Sequence, residues 1–149
     1  ILLWFISFPI QATLAGSADN SSGLSWLDVT GIALWFVGMI FESVGDLQLA
    51  KFKADPNNAG KVMDRGLWRY TRHPNYFGDF CVWWGFYMVA VAGGAAWTIA
   101  SPALMSFLLI RVSGVHLLEK TISDRRPAYR DYIQQTNAFF PGPPRRNSQ

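Results

Sequence analysis

The chain has 149 residues, half of them hydrophobic and 15% aromatic, and only 15% are charged, against about 25% in ordinary soluble domains. That balance points to a membrane protein, in contact with membrane lipids, and to no nucleic-acid role. The single cysteine, Cys81, lies in an apolar run and excludes both an internal disulfide and a cysteine metal cluster.

The chain opens without Met inside an apolar run, ILLWFISFPI, that has no charged leading region and so does not read as a signal peptide. Residues 1–15 are expected to be the end of a truncated helix in the C-terminal part of a longer chain. A polar turn follows from Ala15 to Ser25 (AGSADNSSGLS). Residues 27–49 then predict an apolar helix, starting at Trp26 or Leu27 and long enough to cross a bilayer. In its last third Glu42, Asp46 and Lys53 return to nearly the same face at about 100° per residue, which predicts an inward polar stripe.

Residues 50–73 read as a basic loop, with Asp55-Pro56-Asn57-Asn58 and Gly60 as turn signals. From Phe80 to Ile110 there is no charged side chain. One helix of that span would measure about 46 Å, well beyond a roughly 30 Å hydrocarbon core. The run therefore predicts a hairpin of helices at 74–91 and 97–118, turning at Ala92-Gly93-Gly94-Ala95. Residues 119–149 form a charged tail, and its end, FFPGPPRRNSQ, reads as an extended surface segment.

All 13 Lys and Arg fall in two blocks, Lys51 to Arg72 and Arg111 to Arg146. Juxtamembrane basic residues mark the cytoplasmic side, so loop 51–72 and the C-terminal tail are both expected there. The fold expected is all-α: one multi-pass transmembrane helical bundle over 1–149, with about four membrane segments.

The densest chemistry lies in the stretch from Gly66 to Asp79, GLWRYTRHPNYFGD. Pro74 suits a first helical turn, and the amides of a helix start, with the guanidinium forks of Arg69 and Arg72, suit a phosphate or pyrophosphate. Asn75 and Asp79, at i and i+4, could bond a carboxamide or ribose, with Tyr76 as a stacking or hydroxyl partner. The same residues also fit a plainer role. Arg69 and Arg72 would then anchor lipid phosphates, the Trp and Tyr residues would form an interfacial belt, and His73 would cap a helix. Glu42, Asp46, Asp79 and Glu119 converge on one depth, where acids usually face a bundle interior or an aqueous cavity. Pairing with Lys53, Arg72 and Arg111 is the alternative.

With the upstream FESVGDLQLAKFK and the downstream RVSGVHLLEK and RRPAYRDYIQQTNAFFPGPP, the stretch resembles the DUF1295 family of membrane proteins, grouped with the steroid 5-alpha-reductase C-terminal domain. The resemblance implies an all-helical membrane oxidoreductase, acting on CH-CH groups, with NADPH in a cytosol-facing cavity and a lipid double bond as hydride acceptor. It implies that Glu42, Asp46 and Lys53 meet the adenosine portion, with Lys53 a point charge where the reductases carry Arg. Asn75, Tyr76 and Asp79 match the segment at the nicotinamide-ribose end, and Arg72 and His73 match the Arg-His-Pro of sterol reductases. Arg111, His116 and Glu119 match the region that closes over the cofactor. The proton donor of the steroid reductases lies in earlier helices, which leaves Tyr76 and Glu42 as the catalytic candidates here.

The Arg-His-Pro-x-Tyr run is also similar to isoprenylcysteine methyltransferases, which bind S-adenosylmethionine. Tyr129 and Tyr132 would supply their tyrosine pair, although Glu119-Lys120 stands where those enzymes carry two Glu. A non-enzymatic lipid-binding scaffold is the remaining reading, and no metal site is expected.

Overall fold

The computed structural model describes residues 2–16, 23–113 and 128–145, which fold as helices and short turns with no strand among them. The apolar start, expected as one helix, is two: α1 (Leu2–Ile6) and α2 (Phe8–Gly16). They break just ahead of Pro9, whose ring is excluded from a helix interior but fits the first turn of α2.

Helix α3 (Trp26–Ala54) is 29 residues long. It starts at a capping box, in which the Ser25 hydroxyl accepts from the Asp28 amide and the Asp28 carboxylate accepts from the Ser25 amide at 2.8 Å. It runs past Leu49, where the sequence reading ended it, through Lys51 and Lys53. Cations in a last turn face the negative end of the helix dipole, which favours the extension. The helix stops where Pro56 holds Asp55 in an extended conformation, and the Asp55 carboxylate accepts from the Asn57 amide at 2.9 Å to open a 3-10 turn, Pro56–Asn58.

Helix α4 (Pro74–Ala92) runs antiparallel to α3 along a seam of glycines. Gly31, Gly38 and Gly45 are the buried residues of α3. Their seven-residue spacing keeps them on one face, opposite Gly85, Gly78 and Pro74 in turn. A Cβ at Gly38 would stand 2.6 Å from the Gly78 carbonyl, and one at Gly31 would stand 2.9 Å from the Gly85 carbonyl. Backbone therefore meets backbone, the packing that small residues permit between membrane helices.

The opposite face of α3 is apolar and open, with Phe36, Val37, Ile40, Val44 and Leu47 exposed. Only 11% of its most apolar window is buried, and among the described residues it is the one helix long and apolar enough to cross a membrane.

At the far end of α4, Gly94 takes φ +83° and the Ala95 amide donates to the Ala90 carbonyl at 2.8 Å. The chain reverses through the 3-10 turn Ala96–Ile99 into α5 (Ala100–Phe107). Trp84 Nε1 donates to Ser106 Oγ at 3.0 Å, holding α5 against α4. The helix then widens into a π-helical stretch, Leu108–Ser113. The expected continuation to 118 lies outside the described residues.

The last helix, α6 (Ala128–Gln135), and residues 136–145 return to the start of α4. The segment read from sequence as an extended surface tail is docked over residues 137–142. Phe139 is buried among Phe77, Phe80 and Phe140, although Phe140 itself stays exposed.

Candidate functional site

The Gly66–Asp79 stretch is fastened to α3 before it becomes helix. Gly66 takes φ +58° in a 3-10 turn, Gly66–Arg69, and a Cβ there would run into the Gln48 amide. Gln48 Oε1 accepts from the Leu67 amide at 3.0 Å, and Trp68 Nε1 donates to the Gly45 carbonyl at 3.0 Å. The next residues, Thr71, Arg72, His73 and Pro74, are buried. His73 stands at the N-cap position of α4 with Pro74 in the first turn, and its side chain makes no capping bond.

Arg72 reaches away from α4. Its Nη1 donates to the Ile133 carbonyl at 2.8 Å and to the Thr136 carbonyl at 2.5 Å, and its amide donates to the Asn137 carbonyl at 2.9 Å. The guanidinium read from sequence as a phosphate fork thus also caps the C-terminal end of α6.

Between the end of α3, the loop from Asp55 to Met63, the start of α4 and α6 lies a cavity of about 620 Å³. Among the described residues, Lys53, Lys61 and Arg72 line it with one carboxylate, Asp55. The rings of His73 and Tyr76 stack nearly parallel, 5.5 Å apart between centroids, and Trp68, Tyr129 and Tyr132 close other sides.

Of the site residues named from sequence, Lys53, Arg72, His73, Asn75, Tyr76, Tyr129 and Tyr132 line this cavity. Asp46 adjoins it through Asn75, whose Nδ2 donates to Asp46 Oδ1 at 3.0 Å. Glu42 and Asp79 do not line it. They sit farther along the α3–α4 pair, and Asp79 Oδ1 accepts from Trp83 Nε1 at 2.9 Å. Among the described residues, the hydrogen-bond partners of Asp46 and Asp79 are thus the uncharged Asn75 and Trp83. Arg69 and Arg111 are exposed and away from the cavity. His116 and Glu119 lie outside the described residues.

Sequence reasoning missed the Asp55–Met63 wall, including Lys61. A signal was present, because two short-range turn signals, Asp55-Pro56 and Gly60, return the chain over the end of α3 towards the named cluster.

The residues present fit a dinucleotide. The volume falls within the ~300–1,000 Å³ range of cofactor sites, the cationic excess suits phosphates, and the His73–Tyr76 pair offers a flat face to a planar ring.

The family model described as "Protein of unknown function (DUF1295)" matches residues 1–136. An uncharacterized protein, C594.04c of Schizosaccharomyces pombe, is 30% identical over 95 residues, covering 61% of this chain and 27% of the relative. The 3-oxo-5-alpha-steroid 4-dehydrogenase 1 of Mus musculus is 31% identical over 81 residues, covering 54% and 29%. A probable O-methyltransferase, ustE of Ustilaginoidea virens, is 39% identical over 54 residues, covering 36% and 19%. Each match thus takes in less than a third of the relative's own length. No solved structure matches the chain. The all-helical fold and the match over residues 1–136 place this chain in the DUF1295 family, with steroid dehydrogenases and an O-methyltransferase among its relatives.

Proposed function

We propose that this chain is the cofactor-binding part of a multi-pass membrane reductase that uses NADPH to saturate a double bond in a lipid or steroid-like substrate. The observation that carries the reading is the cavity at the start of α4, where Lys53, Arg72, His73, Asn75 and Tyr76 meet around a cationic, aromatic-walled space. Similarity to a protein named as a steroid dehydrogenase supports it.

In this reading Lys53 and Lys61 hold phosphate charge, and the His73–Tyr76 face carries a planar ring. Asp46 fixes the amide of Asn75 so that its orientation is set before ligand arrives. When bound, NADPH supplies the hydride. The walls from Trp68, Tyr129 and Tyr132 exclude water from the reacting face. Tyr76, whose residue lines the cavity, is assigned the proton that completes the reduction. Glu42, the other candidate, stands off the cavity.

The topology proposed with it puts loop 51–72 and the C-terminal segment on the cytosolic side. Support comes from the docking of residues 137–142 on Tyr70 to Arg72, which brings Arg130 and Arg145 to the basic end of the α3–α4 pair.

Purified full-length protein in detergent is expected to bind NADPH, and Lys53→Ala or Asn75→Ala to weaken that binding. Tight S-adenosylmethionine binding with no response to NADPH would overturn the reading in favour of a membrane methyltransferase. The O-methyltransferase match and the placement of Tyr129 and Tyr132 at the cavity favour that second reading. The excess of lining cations repels a sulfonium and ranks it below the first. Binding of neither cofactor would favour a lipid-binding scaffold.

A further inference from the structure

We infer that Arg72 is a positioning residue: its guanidinium is the latch that holds α6 and residues 136–145 as one wall of the cavity, and bound ligand leaves by release of that wall. The exchange half of this inference rests on the cavity being a dinucleotide site.

Helix α6 packs broadly on none of the other described helices. Besides the packing of Phe139 on Phe77 and Phe80, a row of hydrogen bonds ties it and residues 136–145 to the residues just before α4. Arg72 Nη1 spans the Ile133 and Thr136 carbonyls, acceptors at the end of a helix that has no further amides to pair them, where the dipole is negative. The Arg72 amide donates to the Asn137 carbonyl at 2.9 Å, Thr71 Oγ1 to the Phe139 carbonyl at 2.7 Å, and the Gly142 amide to the Tyr70 carbonyl at 3.0 Å. The Tyr132 hydroxyl donates to the Trp68 carbonyl.

Two consequences follow from this arrangement. Tyr129 and Tyr132, both buried, line the cavity from the helix that these bonds hold. A phosphate in the cavity and the α6 carbonyls also draw on the same guanidinium, so occupancy and wall position are coupled through Arg72. Each bond contributes a net of about 1 kcal/mol, so the loss of one shifts the wall's opening equilibrium by about fivefold.

The test uses full-length protein in detergent, with hydrogen exchange of the amides in residues 136–145 and the dissociation rate of NADPH measured side by side. Arg72→Gln removes the latch. Thr71→Val removes the tie to Phe139, together with the longer bond that the hydroxyl accepts from the His73 amide, while changing no lining side chain, and serves if the first variant fails to fold. Exchange at Gly142 and Arg145 is expected to rise about fivefold in Thr71→Val and further in Arg72→Gln, with Arg72→Lys partly restoring protection. NADPH is expected to leave faster in the same order. Weaker NADPH binding in folded Arg72→Gln with unchanged exchange would make Arg72 a phosphate ligand and overturn the latch. Faster exchange in Thr71→Val with an unchanged dissociation rate would overturn the exit route. If wild-type protein binds no NADPH, the dinucleotide reading and the exit route both fall, and the ligand-free exchange pattern alone decides the latch.

Discussion

The α3–α4 seam and the junction that binds the C-terminal segment are built on opposite principles. Along the seam, Gly31, Gly38 and Gly45 let two backbones touch, and the contact is steric. At the junction, Thr71 and Arg72 hold distant backbone carbonyls, and the contact is polar and directional. The seam fixes where α4 stands relative to Asp46 and Lys53, while the junction fixes what covers the space beside them. A steric seam fails abruptly when an atom is added, whereas a polar junction loosens by one bond at a time.

Gly78→Ala should break the seam most severely, because its Cβ would collide with the Glu42 amide and the Gly38 carbonyl, and neither backbone can step aside. Overpacking of this kind costs roughly 3 kcal/mol, on the order of 10 °C in melting temperature, read by thermal unfolding in detergent. Asn75→Ala acts at the border of the two regions. It removes the bond to Asp46 and should weaken NADPH binding about tenfold with a smaller loss of thermal stability. Binding that stays unchanged while the protein melts earlier would return Asn75 to a purely structural role.

Trp83→Phe removes the indole donor to Asp79 and should cost about 1 kcal/mol in unfolding. The smallest effect is expected for Gly45→Ala. Its Cβ would meet Pro74 Cγ at 3.2 Å and the Asn75 amide nitrogen at 3.3 Å, a looser approach than the one at Gly78, and alanine returns about 1 kcal/mol of helix propensity. A change within about 0.5 kcal/mol in an unfolding titration would mark where the seam opens. A loss as large as that of Gly78→Ala would mean that it is uniformly tight.

The two regions also differed in how far the sequence disclosed them. The spacing of Gly31, Gly38 and Gly45 is a plain seven-residue repeat, legible in principle, but the charges at Glu42, Asp46 and Lys53 are the stronger signal in the same helix. Periodicity puts those charges on one face, yet only Lys53 reaches the cavity itself. The break at Asp55-Pro56, the helix start at Pro74 and the reversal at Gly93-Gly94 follow from local backbone chemistry, and the structure has each of them. The bonds from Arg72 to Ile133 and Thr136 could not be read in the same way. Their acceptors are main-chain carbonyls more than sixty residues away, and a carbonyl leaves no mark in the residue type. The π-helical turn around Arg111 was hidden for a similar reason, since nothing in LLIRVS distinguishes it from an α-helix.

The cavity's role as a dinucleotide site is tested most directly by titrating purified full-length protein in detergent with NADPH, and separately with S-adenosylmethionine, following binding by calorimetry. The account predicts saturable NADPH binding that weakens in Lys53→Ala and Asn75→Ala. Saturable S-adenosylmethionine binding with no heat from NADPH would contradict it.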